Sequence, residues 1–213
     1  MIDRRAVLAT LPALLFARPT RAQTACRVDW RWGHVCASDV PIRAFQPAYR
    51  PQMASEWCWA ACISMVFTYY GYPVAQPRIV REAYGTVANI PAANGLMIAR
   101  ALDRVWISDN GRRFRSVLGP VFDAAAGVDT LNLPAIIAAL SANHPLILGA
   151  RAHAVVLTGV AYAPTRAGPR ILSGEVFDPW PGIGVRRMRR DEFVPVTSGG
   201  TLSFIALPSV QPA

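Results

Sequence analysis

The sequence predicts an α+β fold with two lobes, an N-terminal helical lobe and a C-terminal antiparallel β lobe. Three observations predict it. Caps and helical spacing crowd the front half. One segment there, Trp57 to Tyr70, is apolar on every side except at Ser64 and Thr68, as befits a central buried helix. After Pro145 the period changes to short β-like runs. A chain of 213 residues can build a proper core as one domain with two lobes. Its 53% hydrophobic and 16% charged residues exclude a disordered chain.

Residues 1–22 read as an export signal. Arg4 and Arg5 form a basic start, Ala6 to Ala17 an apolar run, and Thr20-Arg21-Ala22 a small-residue cleavage site. The Arg pair weakly resembles a twin-arginine signal. The bland alternative is an amphipathic helix of the fold. The run is too short to span a bilayer, and no later run is long enough. Removing residues 1–22 takes away four Arg and one Asp and leaves a net charge of +6. Every basic residue is Arg. The one dense cluster, Arg186-Arg187-Met188-Arg189-Arg190, has no interleaved aromatic platform for nucleic acid and reads as a solvated strand or loop.

Residues 23–49 read as an extended N-terminal segment, able to close a Cys26–Cys36 disulfide in an oxidising compartment. Ser55 is the expected N-cap of the buried helix and Gly71 its stop. Gln76-Pro77 opens a helix to Tyr84, Asn94 to Val105 a third, and Asn132 caps a fourth over Leu133 to Leu140. Residues 106–129 carry no clear period. The β-like runs are Pro145 to Ala150, Ala152 to Ala163, Ile171 to Phe177 and Leu202 to Leu207, with a turn cluster at Pro164 to Pro169.

Cys58 and Cys62 lie one helical turn apart on one face, too far for a relaxed disulfide, so both stay reduced. They are not equivalent. Cys58 lies in the first turn of its helix, where unpaired N–H groups and the helix dipole favour a thiolate; Cys62 lies a turn deeper. If the hairpin turn centres near residues 165 and 166, His153 falls opposite Asp178, and a carboxylate stands beside an imidazole. A lone His in a strand is more often structural, and only this register lifts His153 above that reading.

Gln52-x5-Cys58-Trp59 resembles the papain superfamily of cysteine proteases, in which a Gln precedes the nucleophilic Cys by six positions and a Trp follows it. Ala152 to Val160 is similar to that superfamily's histidine strand, and Phe177-Asp178-Pro179-Trp180-Pro181-Gly182 to its third motif, with Asp in place of Asn. The WCWAA form and the Asp-Pro-Trp motif look most like a bacterial branch that includes avirulence-effector-type proteases. The likeness runs over about residues 50–208, in order and polarity, and its specific content is three short motifs. It implies a papain-like peptidase domain over 50–213, with the Cys on the central helix and His and Asp on the β lobe. Cys58 would be the nucleophile, His153 its ion-pair partner and later the acid, Asp178 the orienting group, and Gln52 an oxyanion donor with the Cys58 N–H. Trp180 would cover the His–Asp pair or pack the core. Trp57 and Trp59 read as packing. The third residue lies only 25 positions after His153, and residues 23–50 are too few for a folded inhibitory propeptide.

The same trio also serves transglutaminase-like and amidase enzymes, and an inactive domain could bind peptides. Cys58, Cys62 and His153 fit no common closed zinc site, and C-x-x-x-C is not the redox spacing. The expectation is therefore a periplasmic or secreted bacterial monomer, acting on protein or peptide. It has no cofactor, metal or nucleic-acid partner, and no membrane span once the signal is removed.

Overall fold

The computed structural model describes residues 24–213. The export signal at 1–22 lies outside the described residues. The elements are β1 (Thr24–Asp29), β2 (Gly33–Asp39), α1 (Ile42–Phe45), α2 (Cys58–Tyr69), α3 (Gln76–Tyr84), α4 (Gly95–Leu102), β3 (Arg104–Ile107), β4 (Arg113–Asp123), β5 (Val128–Asp129), α5 (Leu133–Ser141), β6 (Leu146–Ala150), β7 (His153–Thr165), β8 (Gly168–Asp178), β9 (Gly184–Arg187) and β10 (Leu202–Pro212). The fold is mixed α+β with one large sheet and few helices. The sheet has ten strands, ordered β1-β2-β7-β6-β10-β4-β3, with β5 on β4, β8 on β7 and β9 on β8. All of these strand pairs are antiparallel.

The division into a helical front and a stranded back is too sharp. Five strands precede α5 and join the same sheet. The 23–49 segment, read as an extended approach, supplies the β1–β2 hairpin and α1, and β2 pairs with β7 at Cys36↔Tyr162 through Asp39↔Gly159. Cys26 and Cys36 face each other across the hairpin and are joined by a disulfide. Residues 106–129 lacked a period because β4 is interrupted at its centre by Gly119-Pro120, which reads as a breaker. Its partner β10 shifts register there, between Ala206 and Pro208. Gly and Pro belong at such irregularities. A Cβ at Gly119 would lie 2.9 Å from the Leu207 carbonyl oxygen, so the close approach demands Gly.

The apolar helix α2 packs on β7 and α3, and Trp59 through Phe67 are all buried. Its N-cap is Trp57, with no side-chain cap; Ser55 lies outside the helix, where its hydroxyl accepts a bond from Asn89 Nδ2. Burial of the whole helix surface supplies the stability that a cap would add. Tyr70 closes the helix, and Gly71 follows at φ +83°, its N–H bonded to the Thr68 carbonyl. The N-caps Asn94 and Asn132 accept from the N–H groups of Met97 and Ala135, as their side chains lead one to expect.

The β7–β8 hairpin turns on Arg166-Ala167, since Thr165 pairs with Gly168 and Val156 with Phe177. That register differs by two residues from the sequence expectation. His153 faces Ala150 on β6, and Asp178 faces Gly184 on β9. The two meet through their side chains at the sheet's end and not as a cross-strand pair.

Gly95 starts α4 where a Cβ would meet Asp123 Oδ2 at 2.3 Å and Phe204 at 2.4 Å. Alanine is the better helix former by about 1 kcal/mol, but overpacking here costs about 1–3 kcal/mol. Gly95→Ala is therefore expected to lower the thermal unfolding midpoint, and a raised midpoint would refute the close packing.

Candidate active site

Three element ends converge on an open cleft of about 700 Å³. Cys58 begins α2, His153 begins β7 and Asp178 ends β8, and all three line the cleft. Cys58 is half-buried while Cys62, one turn on, is fully buried. Burial pushes the Cys62 thiol well up, and the nearby Cys58 and Asp178 push it further, so it stays neutral.

His153 Nε2 and Asp178 Oδ1 are 2.7 Å apart. With Nε2 turned to Asp178, Nδ1 is the nitrogen left for the Cys58 thiol, which lines the same cleft and acts on the imidazole. Burial alone would lower the histidine's pKa. The bond to Asp178 and the influence of the Cys58 side chain outweigh it and raise the value from 6.5 to about 9. Asp178 is 5% exposed. Burial would raise its pKa, but three donors oppose that: His153 Nε2, Arg186 Nε at 2.7 Å from Oδ2, and the Trp180 N–H at 2.9 Å from Oδ1. Together they hold the carboxyl at about 2.

The backbone that delivers His153 is strained. Arg151 and Ala152 have φ +54° and +57°, and Ala150 pairs with His153 across them. A two-residue hairpin with both residues left-handed normally takes Asn-Gly, and each non-Gly residue costs about 1–2 kcal/mol there. Arg151 offsets this: its guanidinium contacts Asp191 Oδ2 at 2.5 and 2.8 Å, and its N–H bonds the Thr201 carbonyl.

Gln52 is held next to the site but does not line the cleft. Its N–H bonds the Pro179 carbonyl at 2.8 Å, tying it to the segment after Asp178. Its amide Nε2 donates to the carbonyls of Ala54 and Ser55, and Oε1 is buried without a partner. Trp180 is half exposed, which removes the core-packing reading; its ring stands edge-on to His153 with centroids 6.3 Å apart. Trp57 and Trp59 are buried, and their indole N–H groups bond the Ala88 and Ile90 carbonyls. Arg186 was missed by sequence reasoning, which dissolved it in a solvated Arg cluster. The available signal was the acid pair Asp191-Glu192 just after that cluster. Among the described residues no group of three or more His, Cys, Asp or Glu is arranged to hold a metal ion. No described helix is long and apolar enough to cross a membrane.

The structure-linked protonation has a sign for each partner. Protonated His153 stabilises the fold fully below pH 6.5, and that contribution fades as pH rises through about 9. Ionised Asp178 stabilises it above pH 3.8, and that contribution fades as pH falls through about 2. The unfolding midpoint should therefore decline from pH 6.5 to 9, and thermal melts of Asp178→Asn over that range should show a weaker decline.

The chain has no match among curated proteins. Among solved structures it is similar to a double-glycine-motif protease from an AMS/PCAT transporter in complex with the leader peptide. That likeness has 19% identity and a TM-score of 0.40, over 76% of this chain and 89% of the other. It is similar to the peptidase domain of Streptococcus ComA, a bi-functional ABC transporter involved in a quorum-sensing pathway, at 19% identity and TM-score 0.40, over 77% and 97%. A third likeness is to UfSP from C. elegans, at 15% identity and TM-score 0.44, over 78% and 32%. The model of the Peptidase_C39 like family matches residues 45–193. That match takes in Gln52, Cys58, His153 and Asp178 alike, and the chain belongs to this family of papain-like cysteine peptidases.

Proposed function

We propose that the protein is an exported cysteine peptidase that cleaves peptide bonds through a Cys58 thiolate and a His153 imidazolium oriented by Asp178. The observation that carries this reading is the single imidazole, bonded to Asp178 at 2.7 Å and sharing the lining of one open cleft with the Cys58 thiol.

The steps follow from that geometry. The Cys58 sulfur attacks the scissile carbonyl carbon, and the carbonyl π electrons move onto oxygen. The Cys58 N–H at the start of α2 is one donor for that oxyanion. Gln52 is the second, once its amide exchanges one loop carbonyl for the oxyanion; apo geometry at such sites is often looser than the reacting one. The tetrahedral species collapses, the C–N bond breaks, and the imidazolium gives its proton to the leaving amine. A water, deprotonated by the now neutral His153, then attacks the thioester, releases the new carboxyl end and restores the ion pair. Asp178 stays ionised throughout and holds the ring. The half-exposed Trp180 shields the His153–Asp178 bond from water on its open edge.

The three-part layout of residues 1–22 supports export, and the WCWAA and Asp-Pro-Trp forms support a place in the bacterial branch with avirulence-effector-type proteases. N-terminal sequencing of the exported protein is expected to begin at Gln23.

Cys58→Ala should abolish hydrolysis of a peptide substrate. Cys62→Ser should keep the chemistry and lose about 1–3 kcal/mol of stability, because a hydroxyl replaces a thiol in a fully apolar site. Activity surviving in Cys58→Ala and vanishing in a folded Cys62→Ser would reverse the assignment. The alkaline limb of kcat/KM should lie near pH 9, and Asp178→Asn should move it down. An unmoved limb would count against the His153–Asp178 coupling.

A further inference from the structure

Asp178 does not stand alone behind His153. Arg186, on β9, donates Nε to Asp178 Oδ2 at 2.7 Å. Its other two nitrogens grip Glu192 in a bidentate pair, Nη1 to Oε2 and Nη2 to Oε1, each 2.9 Å. Glu192 is 4% exposed, and its Oε2 also accepts from the Arg189 N–H at 2.7 Å. Glu192 belongs to the short 3-10 turn Arg190–Phe193. That turn is seated on the strand that ends at Asp178, because the Phe193 ring packs against Gly174 of β8, leaving no room for a Cβ there. The neighbouring Asp191 holds Arg151 in the strained turn that delivers His153. One turn thus reaches the histidine from two sides, through adjacent carboxylates.

We propose that Arg186 and Glu192 are positioning residues of the catalytic machinery: Glu192 fixes the plane of the Arg186 guanidinium, and that guanidinium fixes the Asp178 carboxylate in the rotamer that meets His153. The inference rests on the peptidase reading above. A buried ion pair adds little net stability over apolar packing, so stability alone does not account for two buried carboxylates joined by one partly buried guanidinium. Orientation does. With Oδ2 pinned by Arg186, Oδ1 is left to His153 Nε2 and the Trp180 N–H. The planar guanidinium fork suits this task and a lysine ammonium does not.

Removing Arg186 leaves Asp178 and Glu192 as two buried carboxylates with no cation between them. One then takes a proton at a higher pH than before. A protonated Asp178 no longer stabilises the imidazolium, and the thiolate–imidazolium pair is lost on the acid side. The charged and titratable groups facing this line are Cys58 and Cys62 from α2, Tyr49 before it, Arg186 from β9, and Arg189 and Glu192 around the 3-10 turn.

The test compares wild type with Arg186→Met, Arg186→Lys and Glu192→Gln. It measures the pH dependence of Cys58 alkylation by iodoacetamide, kcat and KM on a peptide, and the unfolding midpoint. In Arg186→Met the acid limb of alkylation should rise by about one pH unit or more, and kcat should fall about tenfold or more. KM should stay within about twofold, since no substrate contact is removed. Arg186→Lys should return most of the acid limb and little of kcat. Glu192→Gln should lower kcat, with a smaller shift of the limb. If Arg186→Met fails to fold, the other two variants decide by the same readouts. Folded variants with a wild-type limb and kcat, a loss of midpoint alone, or a rise in KM alone would overturn the proposal. A wild-type enzyme that shows no thiolate reactivity below neutral pH would instead sink the ion-pair reading on which it rests, and the two failures are told apart by that control.

Discussion

The hydrogen bond between His153 and Asp178 sets what the rest of the structure must do. It joins a buried carboxylate to a partly buried imidazole that water would otherwise solvate, and it survives because each is held from behind. Asp178 takes donors on both oxygens, and His153 sits between that carboxylate and Cys58. The pair costs the protein a left-handed Arg151-Ala152 turn and two buried carboxylates bridged by Arg186. Each of the three site residues stands at the end of a regular element, so the elements' own rigidity sets their distances.

That arrangement depends on the way the core is built. α2 is apolar around its whole circumference and therefore buried, with Trp59, Ile63, Met65 and Phe67 fully enclosed. Such a helix cannot turn to show a polar face, so the position of Cys58 at its start is fixed by the packing of everything after it. β7 gives the matching constraint from the sheet side. It pairs with β2, β6 and β8 and is buried along most of its length, which fixes where its first residue emerges. The Gln52 N–H bond to Pro179 closes the frame between the helix approach and the segment after Asp178.

Much of this was legible in the residues. The apolar run gave away α2, the Asn caps α4 and α5, and the β-like runs four of the sheet's strands. His153 and Asp178 could be paired from their distance to the turn, although the register was two residues off. The turn falls on Arg166-Ala167, one position later than expected, and β7–β8 carries two irregularities, and periodicity carries no trace of either. β4 stayed hidden because Gly119-Pro120 interrupts it, and Ser55 looked like a cap because propensity cannot show where burial lets a helix begin. Arg186 was illegible for another reason. A cluster of arginines looks the same whether its members face water or a buried carboxylate, and only the fold brings Glu192 and Asp178 to one of them.

The inequality of the four cysteines reaches beyond stability. Cys26 and Cys36 are bound to each other, and Cys62 is sealed in the core with its thiol held neutral. Helix geometry keeps Cys62 out of bonding reach of Cys58. An oxidised Cys58 thus has no resolving thiol within its own chain. A sulfenic acid or a mixed disulfide formed there can be returned to the thiolate only by a thiol from another molecule, so the redox state of the surroundings has a direct hold on this one sulfur.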